Sequence, residues 1–170
     1  MTEMNEESLL GQIEFHPEMG GLLFKDIRYI LIRPETLAAL QKGIERELGP
    51  RGADLIYQSG FTGGRLSTEK YGELFQLSSE RVLLYMLEMG AQIGWGQFVL
   101  RQFEPERKRL SIQVFHSPFA EAYGPSSRPV CHFIRGVIGG ISAGIFDEGK
   151  EVSEISCVAQ GSPFCLFETA

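Results

Sequence analysis

Residues 154–165, EISCVAQGSPFC, contain two of the chain's three cysteines, eight positions apart, with Glu154 three positions before the first of them. The segment reads as two strands joined by a Gly-Ser-Pro turn, so Cys157 and Cys165 are expected to face each other across a C-terminal hairpin. The third cysteine, Cys131, lies 26 positions before Cys157, at the start of a long apolar helix. The segment therefore predicts three thiols and a carboxylate in one place.

These four side chains have the chemistry of a structural zinc site. Such a site needs four ligands in a tetrahedron, and two thiolates on neighbouring strands, one at a helix start and the Glu154 carboxylate would supply them. In a regular strand, residues three apart point to opposite faces, so Glu154 and Cys157 can reach one ion only if the strand is interrupted. We predict a bulge at Ile155-Ser156.

Other interpretations of the cysteines stay open at this point. The chain has no CxxC pair, and free cysteines are often small buried hydrophobes, with Glu154 then a solvated strand residue. A disulfide between Cys157 and Cys165 is a third reading, although a reducing compartment disfavours it. His116 and His132 could each be a ligand or an acid-base group, but neither has a partner in the sequence.

Length and charge exclude several functional classes. The 170 residues suit one domain, residues 1–170, with a core that needs no disulfide framework. The net charge of −6 and a pI of about 5.2 repel a phosphate backbone, so no direct contact with nucleic acid is expected. No apolar stretch reaches the roughly 18 to 20 residues of a membrane span, and the acidic N-terminus is unlike a signal peptide. A cytoplasmic protein is expected.

Strands are predicted in three regions. Residues 11–33 are rich in apolar residues without a helical period, which indicates short strands around turns at 17–21 and 25–26. The segment 95–116 reads as an antiparallel hairpin around the charged turn EPERKR. Together with the C-terminal hairpin and the intervening helices, these strands predict the α+β class.

Helices are predicted between the strand regions. Pro34 opens the first helix and Gly49-Pro50 ends it. A second is expected over residues 51–71, interrupted by its glycines at 60, 63 and 64, and a third begins at Ser78-Ser79-Glu80. A short helix follows Ser117-Pro118.

The last helix, over about residues 129–146, is apolar nearly all round and carries glycines on one ridge. Gly136, Gly140 and Gly144 are spaced by four. Glycine costs about 1 kcal/mol per site inside a helix, so three on one face predict that another segment approaches this backbone closely.

The pattern C-x22-E-x2-C-x7-C, formed by Cys131, Glu154, Cys157 and Cys165, resembles the 4-vinyl reductase (4VR) domain. It is most similar to sensor domains of bacterial enhancer-binding transcription activators that respond to phenol, toluene and xylene. Flanking words also match: PVC before the last helix, G-x3-G inside it, and the opening EFHPEMGGLLFKDIRYILI. In those sensors the three cysteines and the glutamate bind zinc, so the resemblance implies a structural zinc ion here.

The resemblance also implies an architecture and partners. A small antiparallel sheet packed with helices is expected, as in 4-vinyl reductase domains and the related vesicle-tethering transport-particle subunits. A homodimer is expected, with the N-terminal segment 11–33 swapped or at its interface. In the activators, ligand binding relieves inhibition of an ATPase domain, but no GxxxxGK[ST] loop or helix-turn-helix follows Cys165. This chain is thus expected to be a stand-alone protein or an excised sensor domain, with any ATPase or regulatory partner fused or separate.

The predicted pocket differs from that of the phenol sensors. Those have a histidine on the third helix and tyrosines after the helix glycines, whereas LLYMLEMGAQIG lacks a histidine and Val137 and Ile141 follow the glycines here. Without these polar groups a buried hydroxyl loses about 1 to 3 kcal/mol, so an apolar ligand such as a hydrocarbon, lipid tail or porphyrin-like edge is expected. The candidate wall residues are Leu83, Leu87, Trp95, Phe98, Phe115, Phe119, Val137, Ile141 and Val152.

The sequence thus favours a non-enzymatic, zinc-containing domain that binds an apolar or aromatic small molecule in a regulatory role. No residue is assigned a catalytic role, and no nicotinamide or flavin motif is present. The alternatives are an enzyme or accessory protein of (bacterio)chlorophyll vinyl reduction, and a protein-interaction module like the vesicle-tethering subunits.

Overall fold

The protein is described by a computed structural model over residues 9–146 and 150–170. The chain divides into two compact units, one ending at Arg33 and one beginning at Pro34. The C-terminal hairpin was expected to begin at residue 148, and its first two positions lie outside the described residues. The single-domain assignment of residues 1–170, and the use of segment 11–33 at a dimer interface, stay predictions.

The first unit is a short helix followed by a three-stranded antiparallel sheet in the order β1-β2-β3. Its elements are α1 (Leu9–Gln12), β1 (Glu14–His16), β2 (Gly21–Phe24) and β3 (Ile27–Tyr29). Gly20 and Lys25 have positive φ angles of 58° and 54°, so both turns use the left-handed region. The predicted short strands around two turns are confirmed.

The second unit packs five helices with a four-stranded antiparallel sheet in the order β4-β5-β7-β6. The helices are α2 (Pro34–Leu48), α3 (Pro50–Phe75), α4 (Ser79–Gln92), α5 (Pro118–Tyr123) and α6 (His132–Phe146). The strands are β4 (Gln97–Glu104), β5 (Arg109–Phe115), β6 (Val152–Ser156) and β7 (Cys165–Thr169). The predicted α+β class is confirmed.

The alternation of β5 positions its apolar face. Leu110, Ile112 and Val114 are buried on the central strand of this sheet, as is Phe167 on the neighbouring strand β7. Pairing of Ile112 with Phe167 fixes the register of the C-terminal hairpin against the rest of the sheet. The position of Cys165 at the start of β7 follows from that register.

Helix α3 is continuous over 26 residues, so the predicted interruption at its glycines was wrong. Gly60 and Gly64 are buried against α6, and a Cβ atom at either would overlap the α6 backbone. Tertiary packing of the two helices outweighs the low helix propensity of glycine.

The same contact explains the glycine ridge of α6. A Cβ atom at Gly136 or Gly140 would overlap the α3 backbone, and one at Gly144 would lie 2.9 Å from an α3 side chain. The two helices therefore pack backbone to backbone through glycines on both sides. The predicted close approach is confirmed, and it fixes the helix that begins directly after Cys131.

Candidate metal centre and apolar cavity

The structure brings Cys131, Glu154, Cys157 and Cys165 together. One ligand atom from each lies within 4.8 Å of the others. The Cys131 Sγ atom lies 3.6 Å from Cys165 Sγ and 3.9 Å from Cys157 Sγ, and all three thiols are buried. Three soft sulfur ligands and one carboxylate oxygen at this spacing are a donor set that suits zinc.

A β-bulge aims the carboxylate at the thiols. Glu154 pairs with Phe167 and Ser156 pairs with Leu166, so Ile155 is an extra residue without a partner across the ladder. The side chain of Ile155 is 56% exposed, while Cys157 beyond it is buried. The bulge predicted at Ile155-Ser156 is confirmed, and it lets residues three apart face the same point.

The carboxylate of Glu154 has one bonded oxygen and one that is orphaned. Its Oε2 atom accepts a hydrogen bond of 2.9 Å from the backbone N–H of Cys131. Its Oε1 atom is buried and has no hydrogen-bond partner in the part of the chain that the structure describes. A buried carboxylate oxygen without a donor is unfavourable unless a cation is bound there, so the residues present fit a metal ion.

Two further contacts orient the thiols. The backbone N–H of Val158 donates to Cys165 Sγ at 3.4 Å, and the Ser117 hydroxyl lies 3.7 Å from Cys131 Sγ. Backbone donors of this kind stabilise thiolate ligands and fix their positions.

The pKa values of the cluster reflect the crowding of four acidic groups. Burial, with a contribution from the neighbouring Cys157, raises the pKa of Glu154 to about 8. Hydrogen bonds from Cys131 and Cys165 lower the pKa of Cys157 below its ordinary range. Bonds to Cys157 and Cys165 raise the pKa of Cys131 well above its usual value. For Cys165 the Cys131 contact lowers the pKa, but Cys157 and burial outweigh it and the pKa rises to about 12.

At neutral pH the metal-free cluster therefore carries one thiolate, on Cys157, and a proton on Glu154. A divalent cation that displaces the remaining protons would convert all four groups into ligands. The two other readings of the cysteines fare worse. The three thiols are free, which excludes the Cys157–Cys165 disulfide, and Glu154 is bonded to Cys131 instead of facing solvent.

The two histidines considered in the sequence lie outside the cluster. His116 is 83% exposed and its Nδ1 atom lies 4.0 Å from a carboxylate oxygen of Glu121. His132 points away from the thiols, and its Nε2 atom lies 3.5 Å from Glu45 Oε1. Desolvation lowers the pKa of His132.

The sequence analysis missed a buried polar group centred on Glu45. One oxygen of this carboxylate accepts 2.8 Å from Gln41 Nε2, and the other accepts 2.7 Å from the Tyr123 hydroxyl. Gln41 Nε2 also donates 2.8 Å to the backbone carbonyl of Val130, the residue before Cys131. Two polar residues four apart on the inner face of α2 are the only sequence signal for this group.

A cavity of about 170 Å³ opens between α2, α3, α5 and α6. Its walls are Leu37, Ala38, Leu40, Gln41, Ile44, Ile56, Ser59, Phe119 and Phe133. A larger, shallow depression of about 670 Å³ lies between α5 and the turn at Val158–Gln160 and is lined mainly by small and polar residues. Of these two, the first cavity is the apolar and partly enclosed one, which is typical of a small-molecule site.

Of the nine predicted wall residues, Phe119 alone lines this cavity. Trp95 lies directly behind the wall, with its ring 5.5 Å from Phe119 and 5.8 Å from Phe133. Phe98 packs on α4 at Gly90, and Phe115 packs on Phe164. The remaining five are buried side chains: Leu83, Leu87, Val137, Ile141 and Val152. Their assignment to a ligand site stays a prediction.

The fold and the cysteine cluster define a class, the domain of the 4-vinyl reductase type. Residues 110–170 match the sequence model of the 4-vinyl reductase (4VR) domain, so the resemblance predicted from the cysteine pattern is confirmed. No curated protein matches the chain. None of the described helices is long and apolar enough to cross a membrane.

Solved structures share the fold. The phenol-responsive sensory domain of the transcription activator PoxR, bound to phenol, has a TM-score of 0.82 and 20% identity, covering 94% of this chain and 85% of that one. A vinyl-4-reductase family protein from Methanocaldococcus jannaschii has a TM-score of 0.54 and 20% identity, with coverages of 86% and 84%. A trafficking protein particle complex subunit 3 from Naegleria fowleri, covalently bound to palmitic acid, has a TM-score of 0.52 and 13% identity, with coverages of 79% and 92%.

Proposed function

We propose that this chain is a regulatory, zinc-containing domain that binds a small apolar or aromatic molecule and catalyses no reaction. The observation that carries the proposal is the likeness to the phenol-bound sensory domain of PoxR, which extends over 94% of this chain. The apolar cavity between α2, α3, α5 and α6 supports it, because such a space is what a sensor of this kind needs. We also place the domain in the cytoplasm, where a transcription activator acts.

The proposed ligands of the zinc ion are Cys131, Glu154, Cys157 and Cys165. When bound, the ion would supply a four-coordinate cross-link with no open position for water, which is a structural role. The chain's own contribution is to tie three segments together. These are the loop before α6, the bulged strand β6 and the start of β7.

We further propose that the protein is a homodimer. Several apolar side chains are exposed on both units, and exposed apolar patches on a folded protein often mark association surfaces. They include Phe15, Ile30, Leu31, Leu40, Leu48, Leu55 and Leu66. An ATPase or other regulatory domain, fused or separate, would receive the signal.

The enzyme alternative draws only on the name of the vinyl-4-reductase family protein. A turnover assay separates it from the sensor. Cofactor-dependent reduction of a protochlorophyllide analogue would favour the enzyme, and an unchanged absorbance with added cofactor would favour the binder.

Native mass spectrometry of the protein as purified tests the proposed function. The expected spectrum shows two chains, one zinc ion per chain, and an additional mass from a retained small molecule or one added from a hydrophobic panel. Dissociation of that mass on mild activation, with the zinc retained, would show two separate sites. A chain that retains no added molecule from the panel would contradict the proposed function.

A further inference from the structure

Gln41 is the one buried polar side chain among the walls of the cavity. It is 9% exposed, and its neighbours in the wall include Leu37, Ala38 and Phe133. Ser59, the other polar wall residue, is exposed and donates its hydroxyl to the backbone carbonyl of Leu55 at 2.9 Å. Any polar recognition deep in this cavity therefore depends on the amide of Gln41.

The orientation of the Gln41 amide is fixed by its partners. Its nitrogen donates to the carboxylate of Glu45 and to the carbonyl of Val130, each at 2.8 Å. Both partners are acceptors, so the amide cannot be flipped without placing oxygen against oxygen. Both N–H groups are used, and only the Oε1 atom is left.

The Oε1 atom of Gln41 is a spare acceptor. No donor to it is found among the described residues, and it is not fully sealed from solvent as the orphaned Oε1 of Glu154 is. Because an amide oxygen has two lone pairs and donates nothing, it rewards a ligand that carries an O–H or N–H group. A ligand that offers only an acceptor would face another lone pair.

The volume limits the size of the ligand. A cavity of about 150 Å³ lined by apolar side chains holds one benzene molecule in an engineered protein, so about 170 Å³ suits one six-membered ring or a short branched chain. A porphyrin or a long acyl chain does not fit in this space.

We propose that the cavity between α2, α3, α5 and α6 binds a neutral, single-ring-sized molecule with one hydrogen-bond donor, which it directs at Gln41 Oε1. This inference rests on the proposed function and names the ligand class for it. It corrects the expectation of a ligand without a donor, which followed from the absence of a histidine on α4. The acceptor comes from α2, a helix that the expectation did not consider.

Fluorescence of Trp95 provides the measurement. It is the chain's only tryptophan, and its ring contacts both aromatic walls, Phe119 and Phe133. Cyclohexanol and cyclohexanone are matched probes, because they share ring size and differ mainly in the donor. We expect cyclohexanol to bind about tenfold more tightly, the ratio that a hydrogen bond of about 1.4 kcal/mol gives.

Three variants locate the effect. Gln41→Met should bring the two affinities to within about twofold, whereas Ser59→Ala should preserve the preference. Ala38→Leu adds volume inside the cavity and should abolish binding of both probes, with folding checked by circular dichroism. If Gln41→Met does not fold, the wild-type ratio and Ala38→Leu still decide the matter.

Equal affinities of the wild-type protein for the two probes would overturn the inference, as would unchanged binding by Ala38→Leu. Either result leaves the proposed function standing if native mass spectrometry still shows a retained small molecule. Failure of every probe, together with no retained molecule from the broader panel, would sink both.

Discussion

Glu154 shows at the scale of one residue why a cation is expected. Its carboxylate is largely buried among three thiols, one oxygen is bonded to the Cys131 N–H, and the other has no partner among the described residues. Burial without a partner costs about 1–3 kcal/mol for a neutral polar group and more for a charged one. The arrangement is unfavourable alone and favourable around a metal ion.

The Glu154→Gln variant tests this residue. Glutamine keeps the shape and still accepts from the Cys131 N–H, but it removes the anionic oxygen, so zinc affinity should fall about tenfold or more, as for the loss of a contact that tunes a metal site. Competition with a chromogenic chelator measures the change. Glu151→Gln, an exposed neighbour, is the matched control and should bind zinc as the wild type does. Equal affinities of Glu154→Gln and wild type would remove Glu154 from the ligand set.

The stability of the metal-free protein should respond to pH mainly above neutrality. Between pH 4.5 and about 8 the folded chain holds an extra proton on Glu154 and lacks one on Cys157, relative to the unfolded chain, so the two effects oppose each other. Above pH about 9 the unfolded chain releases protons from Cys131 and Cys165, whose pKa values are raised in the folded protein. The unfolded state then binds fewer protons, and stability falls as pH rises.

Urea midpoints of chelator-treated protein at several pH values measure this dependence. A nearly flat profile from about pH 5 to 8 is expected, followed by a decline at alkaline pH that becomes shallower in Cys165→Ser. A midpoint that increases between about pH 9 and 11 would contradict the assigned protonation states.

Residue-level chemistry was predictable where it depended on spacing. The intervals between the cysteines and Glu154 indicated convergence, and the two-residue period of a strand required the bulge at Ile155. Gln41 and Glu45 could not be found in this way, because their partners lie 89 and 78 residues away and no motif links them.

At the scale of the elements, the α3–α6 contact holds the metal-centre loop in place. Glycines of both helices allow their backbones to touch, so side chains larger than hydrogen are excluded at the crossing. The sequence predicted the ridge on α6 from its spacing of four. It did not predict that α3 runs unbroken, because propensity alone treats Gly60 and Gly64 as helix breakers, and only their partner helix explains them.

Two adjacent glycines of α3 provide a matched pair. A Cβ at Gly64 would overlap the α6 backbone, whereas one at Gly63 would meet nothing within 4 Å. Gly64→Ala should therefore lower the free energy of unfolding by about 1–3 kcal/mol through overpacking. Gly63→Ala should raise it by about 0.5–1 kcal/mol through better helix propensity. Denaturant unfolding measures both, and equal effects of the two variants would contradict the close packing.

Removal of zinc should loosen the C-terminal hairpin before the helices. The hairpin β6–β7 and the loop at Val130-Cys131 meet at the cluster, while α3 and α6 are also held by their own contact. Hydrogen exchange after chelation should therefore accelerate at β6 and β7 and stay slow in α3. Uniform acceleration across α3, α4 and β7 would show that the metal supports the whole unit equally.

At the scale of the molecule, the sequence predicted the α+β class and the 4-vinyl reductase resemblance because both depend on local pattern and on one spaced motif. It did not predict where the cavity lies. The nine proposed walls were chosen for apolar character, but most such residues pack into the core, and the open space is decided by how α2 meets α3, α5 and α6. That geometry depends on contacts far apart in the chain.

The central claim is that Cys131, Glu154, Cys157 and Cys165 hold one zinc ion. Zinc K-edge X-ray absorption of the protein as purified tests it most directly. The account predicts three sulfur atoms at about 2.3 Å and one oxygen at about 2.0–2.2 Å from the metal, with no further ligand. A folded protein without stoichiometric zinc, or a zinc shell with fewer than three sulfur atoms, would contradict it.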